Sequence, residues 1–221
     1  MATLWTFGDS FTAGDGCVEN LGIRDGDFKY YNEYKKSDSD IWPNLLGDTM
    51  GFNVKNLGKS GASNDYILDS IIDHFNMIEP DDVVIIEKTF YQRFDIPDLK
   101  GNEFHTQYAE LLHLYSIDLK KNKYHKDNLE IETVLNYGIL YSDNKLFKER
   151  QDKRFDFIQT QLKTKTDKIL IWDVLDFLDG KIETIGQHTD GKIKDYHFSF
   201  NGHKRFGELL YKKLYIKPSL I

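Results

Sequence analysis

"TLWTFGDSFTAGDG", residues 3–16, begins with large apolar and β-branched side chains and turns, at Gly8, into small and polar ones. Thr3 to Phe7 reads as a short buried strand, because such residues suit a pleated surface and a glycine bounds the run. Gly-Asp-Ser directly after a strand raises a choice. The serine either caps an ordinary strand-to-helix turn or is held at the mouth of a sheet for chemistry.

Three further runs read as buried strands: Asn53 to Leu57, Asp82 to Ile86 and Lys168 to Trp172. Helical patterns lie between them. Pro43 suits a first helical turn and Gly51 its end. Ile67, Ile71 and Phe75 form one apolar stripe, and Phe206, Leu210 and Leu214 another. The section from Glu103 to Thr164 reads as mostly helical, with Phe155, Ile158 and Leu162 giving its clearest period. Strands alternating with helices predict an α/β fold, a parallel sheet covered on both faces. With no internal repeat and no linker, residues 1–221 read as one domain carrying a mostly helical insertion around 90–164. Ser10, Gly58 to Gly61, and Glu87 to Thr89 each follow a predicted strand, which places them on the carboxyl rim where such folds work.

Composition narrows the function classes. The net charge of −7 disfavours a nucleic-acid partner, which calls for a basic face. The basic run at 119–126, "LKKNKYHK", reads as a solvated loop, and most of the 14% aromatic residues as core. The single cysteine, Cys17, forms no internal disulfide. No basic n-region precedes the first apolar run, and Val83 to Ile86 is too short to span a bilayer, so no membrane span and a soluble, cytoplasmic location are expected.

A serine hydroxyl needs a base, usually a histidine oriented by a carboxylate. The stretch "DYHFSFNGHKRFGELL" supplies His197, with Asp195 two residues upstream. "FGDSFTAG", "NLGKSGASND" and "DYHFSFNGH" together, in that order, resemble the first, second and last sequence blocks of the SGNH (GDSL-type) hydrolases. The resemblance runs from residue 4 to about 214. It implies a three-layer α/β/α fold with a short parallel sheet of flavodoxin-like type. It implies Ser10 as nucleophile, His197 as base, Asp195 as acid, and the N–H groups of Ser10 and Gly61 as oxyanion donors. Members more often carry the acid three residues before the histidine, where this chain has Lys194; the two-residue spacing resembles a variant of the block, with Asp190 as the weaker candidate. The implied activity is hydrolysis of an ester, an O-acetyl or short acyl group on a carbohydrate or lipid, through an acyl-enzyme and without a cofactor.

The third block departs from the family pattern. Where members read Gly-x-Asn-Asp, this chain reads "EKTF" within "VVIIEKTFYQRFD". Thr89 stands near the asparagine's place as a substitute oxyanion donor, and Arg93 as a charged group toward substrate. This version resembles a divergent branch associated with phage-encoded proteins. A non-catalytic carbohydrate-binding or virion-assembly domain that keeps the fold is the alternative. Two further readings carry less. His188, His197, His203, Asp190 and Asp195 match no metal-ligand spacing. "GKSGA" around Ser60 half-resembles the nucleophile elbow of α/β-hydrolases, with Asp173 and His197 to follow, yet too little sheet precedes it.

Overall fold

The computed structural model describes residues 1–15, 40–91, 93–97, 103–107, 145–177, 182, 184–187 and 194–215. Cys17, His188, Asp190 and the basic run at 119–126 lie outside the described residues, as does most of the insertion expected at 90–164.

Four strands form one parallel sheet: β1 (Thr3–Gly8), β2 (Asn53–Gly58), β3 (Val83–Lys88) and β6 (Ile169–Asp173), in the order β2-β1-β3-β6. All four runs expected as strands are present. The chain steps from β1 outward to β2, then returns to the other side of β1 for β3. The crevice between the carboxyl ends of β1 and β3 is therefore a switch point of the topology, where open α/β sheets bind ligands.

Helices cover both faces, giving three layers. On one face Leu4, Val83, Ile85 and Trp172 pack against α2 (Trp42–Met50) and α5 (Phe200–Tyr215) through Trp42, Leu46, Phe206 and Leu210. On the other, Trp5, Phe7, Val84 and Ile86 pack against α3 (Asn64–His74) and α4 (Lys145–Leu162) through Ile67, Leu68, Ile71, Phe155 and Leu162. The alternation along β1 and β3 is the period-two rule of a strand with both faces buried. α2 carries Pro43 in its first turn and ends on Gly51 at φ +68, a left-handed position that glycine takes without strain. α3 starts at Ser63, whose Oγ accepts from Tyr66 N at 3.1 Å, a cap that contributes about 1 kcal/mol.

The expectation of helix beginning at Glu103 needs correction. Arg93–Pro97 (β4) and Glu103–Gln107 (β5) pair as an antiparallel hairpin. The apolar residues Phe94 and Ile96 alternate with polar neighbours, a period of two that a 3.6-residue template misses. Among the described residues of that section, helix is present at α4. A second hairpin, β7 (Thr184–Gln187) with β8 (Lys194–Phe198), pairs antiparallel outside the main sheet and carries His197. Among the described residues no helix is long and apolar enough to cross a membrane.

Candidate active site

The first strand ends at Gly8 and passes directly into α1 (Ser10–Ala13), a single helical turn. Asp9 is its N-cap: the carboxylate accepts from Phe11 N at 2.9 Å, and the Asp9 carbonyl accepts from Thr12 N and Ala13 N at 3.2 and 2.8 Å. Asp9 N in turn donates to Glu87 Oε2 at 3.1 Å. Within this turn the amide of Ser10 keeps no acceptor among the described residues. Two glycines make the close packing possible. A Cβ on Gly8 would lie 2.3 Å from both Glu87 Oε2 and Thr12 Oγ1, and one on Gly58 would lie 2.5 Å from Ala13 N. Gly8→Ala is accordingly expected to destabilise the protein by about 1–3 kcal/mol, read as a lower melting temperature; an unchanged melting curve would show that the turn has room to spare.

Ser10 Oγ lies 2.8 Å from His197 Nε2. This is the distance at which a serine O–H donates to an unprotonated imidazole nitrogen. The imidazole is held from below by Phe11, ring centroids 5.0 Å apart, and Phe11 packs edge-on against Phe198 at 5.2 Å. The turn is tied to the helical layer as well. The Trp42 indole N–H donates to Phe11 O at 3.0 Å, and Trp42 N donates to His203 Nδ1 at 3.3 Å. His203 thus serves packing between α2 and α5. Among the described residues no group of three or more His, Cys, Asp or Glu is placed to hold a metal.

Gly61 sits in the turn Lys59–Ala62, which closes through Ala62 N donating to Lys59 O at 3.0 Å, and adopts φ +74. That bond leaves the Gly61 amide out of the turn's own hydrogen bonding. A Cβ there would meet nothing within 4 Å, so the backbone conformation rather than crowding calls for glycine. Asp195 lies on β8 with its backbone opposite Gly186, two residues before His197. Ser60 is exposed and its hydroxyl donates to Asp15; His197 pairs with Ser10, so the Ser60 elbow is not assembled. Burial raises the Asp173 carboxyl, whose Oδ1 accepts from Leu175 N at 2.9 Å.

The substitutes expected in the third block point elsewhere. Thr89 Oγ1 donates to Asp9 Oδ2 at 2.5 Å, and the buried Arg93 guanidinium donates to the same oxygen. A hydroxyl has one proton to give, so Thr89 offers no side-chain donor to an oxyanion here. Arg93 also reaches Thr89 Oγ1 at 3.0 Å and stacks its guanidinium over Phe90, 5.0 Å from the centroid. Both side chains brace the Gly-Asp-Ser turn from beneath.

Sequence reading passed over three members of this network. Glu87 is an acid at the end of an otherwise apolar strand, and that placement was the available signal. Asn64 pairs with the loop after β3 as a backbone would: Oδ1 accepts from Thr89 N at 2.9 Å, and Nδ2 donates to Thr89 O at 3.0 Å. Asn56 ties the end of α1 to β2, its Nδ2 donating to Thr12 O at 2.9 Å while its Oδ1 accepts from Thr6 Oγ1 at 3.0 Å. Burial works to raise the Asp9 carboxyl, and the Glu87 hydrogen bond, the Arg93 charge and the Thr89 and Phe11 donors outweigh it, holding Asp9 below the usual carboxylate range. Burial, then the Asp9 charge, push Glu87 well above it.

No protein-family model matches the chain, and no curated protein sequence matches it either. Among solved structures it is similar to a protein assigned to the G-D-S-L lipolytic family from Desulfitobacterium hafniense DCB-2, at 15% identity and a TM-score of 0.40, covering 97% of this chain and 99% of that one. It is similar to a carbohydrate esterase whose active site is described as displaying divergent catalytic and non-catalytic binding functions, at 14% identity and a TM-score of 0.46, covering 99% of this chain and 69% of that one. It is also similar to the acetyl xylan esterase Est2A from the rumen bacterium Butyrivibrio proteoclasticus, at 13% identity and a TM-score of 0.40, covering 96% of this chain and 64% of that one.

Proposed function

We propose that the chain is a serine hydrolase of SGNH type that cleaves an ester. The observation that carries this reading is the 2.8 Å approach of His197 Nε2 to Ser10 Oγ across 187 residues of sequence, at the carboxyl rim of the sheet. Ser10 Oγ attacks the acyl carbonyl as His197 takes its proton; His197 then protonates the leaving alcohol. Water, deprotonated by the same imidazole, releases the acyl group. Asp195, two residues before the histidine, is the acid in this reading. The amides of Ser10 and Gly61 are the oxyanion donors. A short acyl or O-acetyl ester of a glycan or lipid is the substrate class.

The turned-away Thr89 hydroxyl favours a second reading, a domain that binds a carbohydrate without turnover. One oxyanion donor is worth about 10²–10³ in turnover, so its loss separates a slow enzyme from a binding module. A fluorophosphonate probe decides between them. Wild type is expected to label covalently at Ser10, mapped by peptide mass spectrometry, while Ser10→Ala stays unlabelled. A folded wild type that takes no label at Ser10 would leave the binding domain as the correct reading.

A further inference from the structure

Glu87 has no part in the reaction just described, yet it lies fully buried beneath the nucleophile turn. Its Oε2 accepts from Asp9 N at 3.1 Å and from Thr12 Oγ1 at 2.5 Å. Its Oε1 meets no donor among the described residues. An ionised Glu87 would thus carry its charge on two buried oxygens, one without a donor and the other met by neutral donors alone. The Arg93 guanidinium is committed to the neighbouring Asp9. Burial and the Asp9 charge therefore keep the Glu87 carboxyl protonated well above the usual carboxylate range. Asp9 keeps the charge, because Arg93, the Thr89 hydroxyl and Phe11 N all donate to it. Among the described residues, Glu87 receives only the neutral donors named above.

We propose that Glu87 holds a buried proton, and that this proton keeps Ser10 in its attacking position, making Glu87 a positioning residue. The effect on turnover rests on the serine-hydrolase reading; the buried proton does not. In effect the turn has a capping box closed from another strand: Asp9 caps Phe11 N, and Glu87, 78 residues away, caps Asp9 N. The charged groups around the pair are few. Asp9 faces it from α1 and Arg93 from β4. Lys88 points to the opposite face of β3, where Nζ reaches Asp152 at 2.7 Å. On β6 the residue in register with Glu87 is Trp172, followed by Asp173 beside Lys88. Removing the proton sets a second negative charge against Asp9 with no new cation to meet it. The two carboxylates then repel each other, and the turn holding Ser10 is released.

The test is kcat and KM against pH for wild type, Glu87→Gln and Glu87→Leu, with melting temperatures over the same range. The glutamine amide can accept from Asp9 N–H and Thr12 as Glu87 does, and it has no proton to lose. The alkaline fall in kcat is expected to move to higher pH in Glu87→Gln. Glu87→Leu is expected to lose about 10–100-fold in kcat at every pH, with KM changed much less. An alkaline limb at the same pH in wild type and Glu87→Gln, or a glutamine variant as slow as the leucine one, overturns the proposal.

If wild type neither turns over nor labels, the hydrolase reading fails by itself, and the proton is read without activity. The folded state keeps the Glu87 proton where the unfolded chain releases it. Wild type therefore loses stability relative to Glu87→Gln as pH rises from the ordinary glutamate range toward the raised folded value. Infrared difference spectra of wild type against Glu87→Gln at neutral pH should also show one protonated-carboxyl band. Parallel melting curves and no such band would overturn the buried proton.

Discussion

Ser10→Ala is expected to lower kcat on an acyl ester by about 10³–10⁶-fold, with the melting temperature close to that of wild type. The range follows from how nucleophile and base act as a unit: removing either one forfeits nearly all of what both supply. The residue keeps its backbone N–H when the hydroxyl is lost, so the oxyanion amides remain and some rate above water persists. Ser60→Ala is the matched control, because Ser60 is exposed and bonds to Asp15 rather than to His197. Initial rates on a p-nitrophenyl acyl ester, with active-site titration to exclude contaminating enzyme, make the comparison. A Ser10→Ala protein with a tenth or more of wild-type kcat, beside a dead Ser60→Ala, would remove Ser10 as nucleophile.

The largest expected effect on stability comes from Phe206→Ala, about 3–5 kcal/mol. Phe206 is fully buried at the centre of an aromatic cluster, with ring centroids 4.6 Å from Trp172, 4.9 Å from Phe198, 5.0 Å from Phe177 and 5.5 Å from Trp42. Truncation there removes the transfer free energy of the ring and leaves a cavity that four rigid rings cannot close. For a chain of this length the loss corresponds to roughly 6–20 °C in Tm. Phe157, on α4 and 63% exposed, is the control, expected to change stability by no more than about 0.5 kcal/mol when made alanine. Equilibrium urea unfolding reads both. A Phe206→Ala midpoint within error of Phe157→Ala would mean that the cluster collapses onto the space at little cost. Because Phe198 is also next to His197, Phe206→Ala should lose activity on mild heating before wild type does.

The main sheet was legible in the sequence because its signal is local. Apolar runs such as Val83 to Ile86, bounded by turn residues, can only be buried strands in an alternating α/β pattern. The pairing of Ser10 with His197 was legible through the motif blocks that carry them. What was not legible depends on partners far away in sequence. Nothing near Thr89 or Arg93 says that both point at Asp9, which lies 80 and 84 residues upstream. Both side chains were expected to face substrate, since a loop after a strand usually serves the site directly. They instead neutralise and orient a carboxylate that the Gly-Asp-Ser turn has buried. The β4–β5 hairpin was missed for another reason: its alternation is short, and it lies beside a segment whose polar composition reads as helix.

The placement of His197 on β8 carries a consequence for the order of folding. β8 belongs to a separate two-stranded ribbon, joined to the body through Phe198 and the aromatic cluster rather than through the ladder of the main sheet. Contacts of such long sequence separation form late, since loop closure is costly until the rest is in place. On the serine-hydrolase reading, a chain whose four parallel strands have already assembled has its Gly-Asp-Ser turn in place and no base beside it. Chemical competence arrives as a separate event, when the ribbon docks, so recovery of Ser10 reactivity during refolding is a clock for the last stage of assembly rather than for the formation of the core.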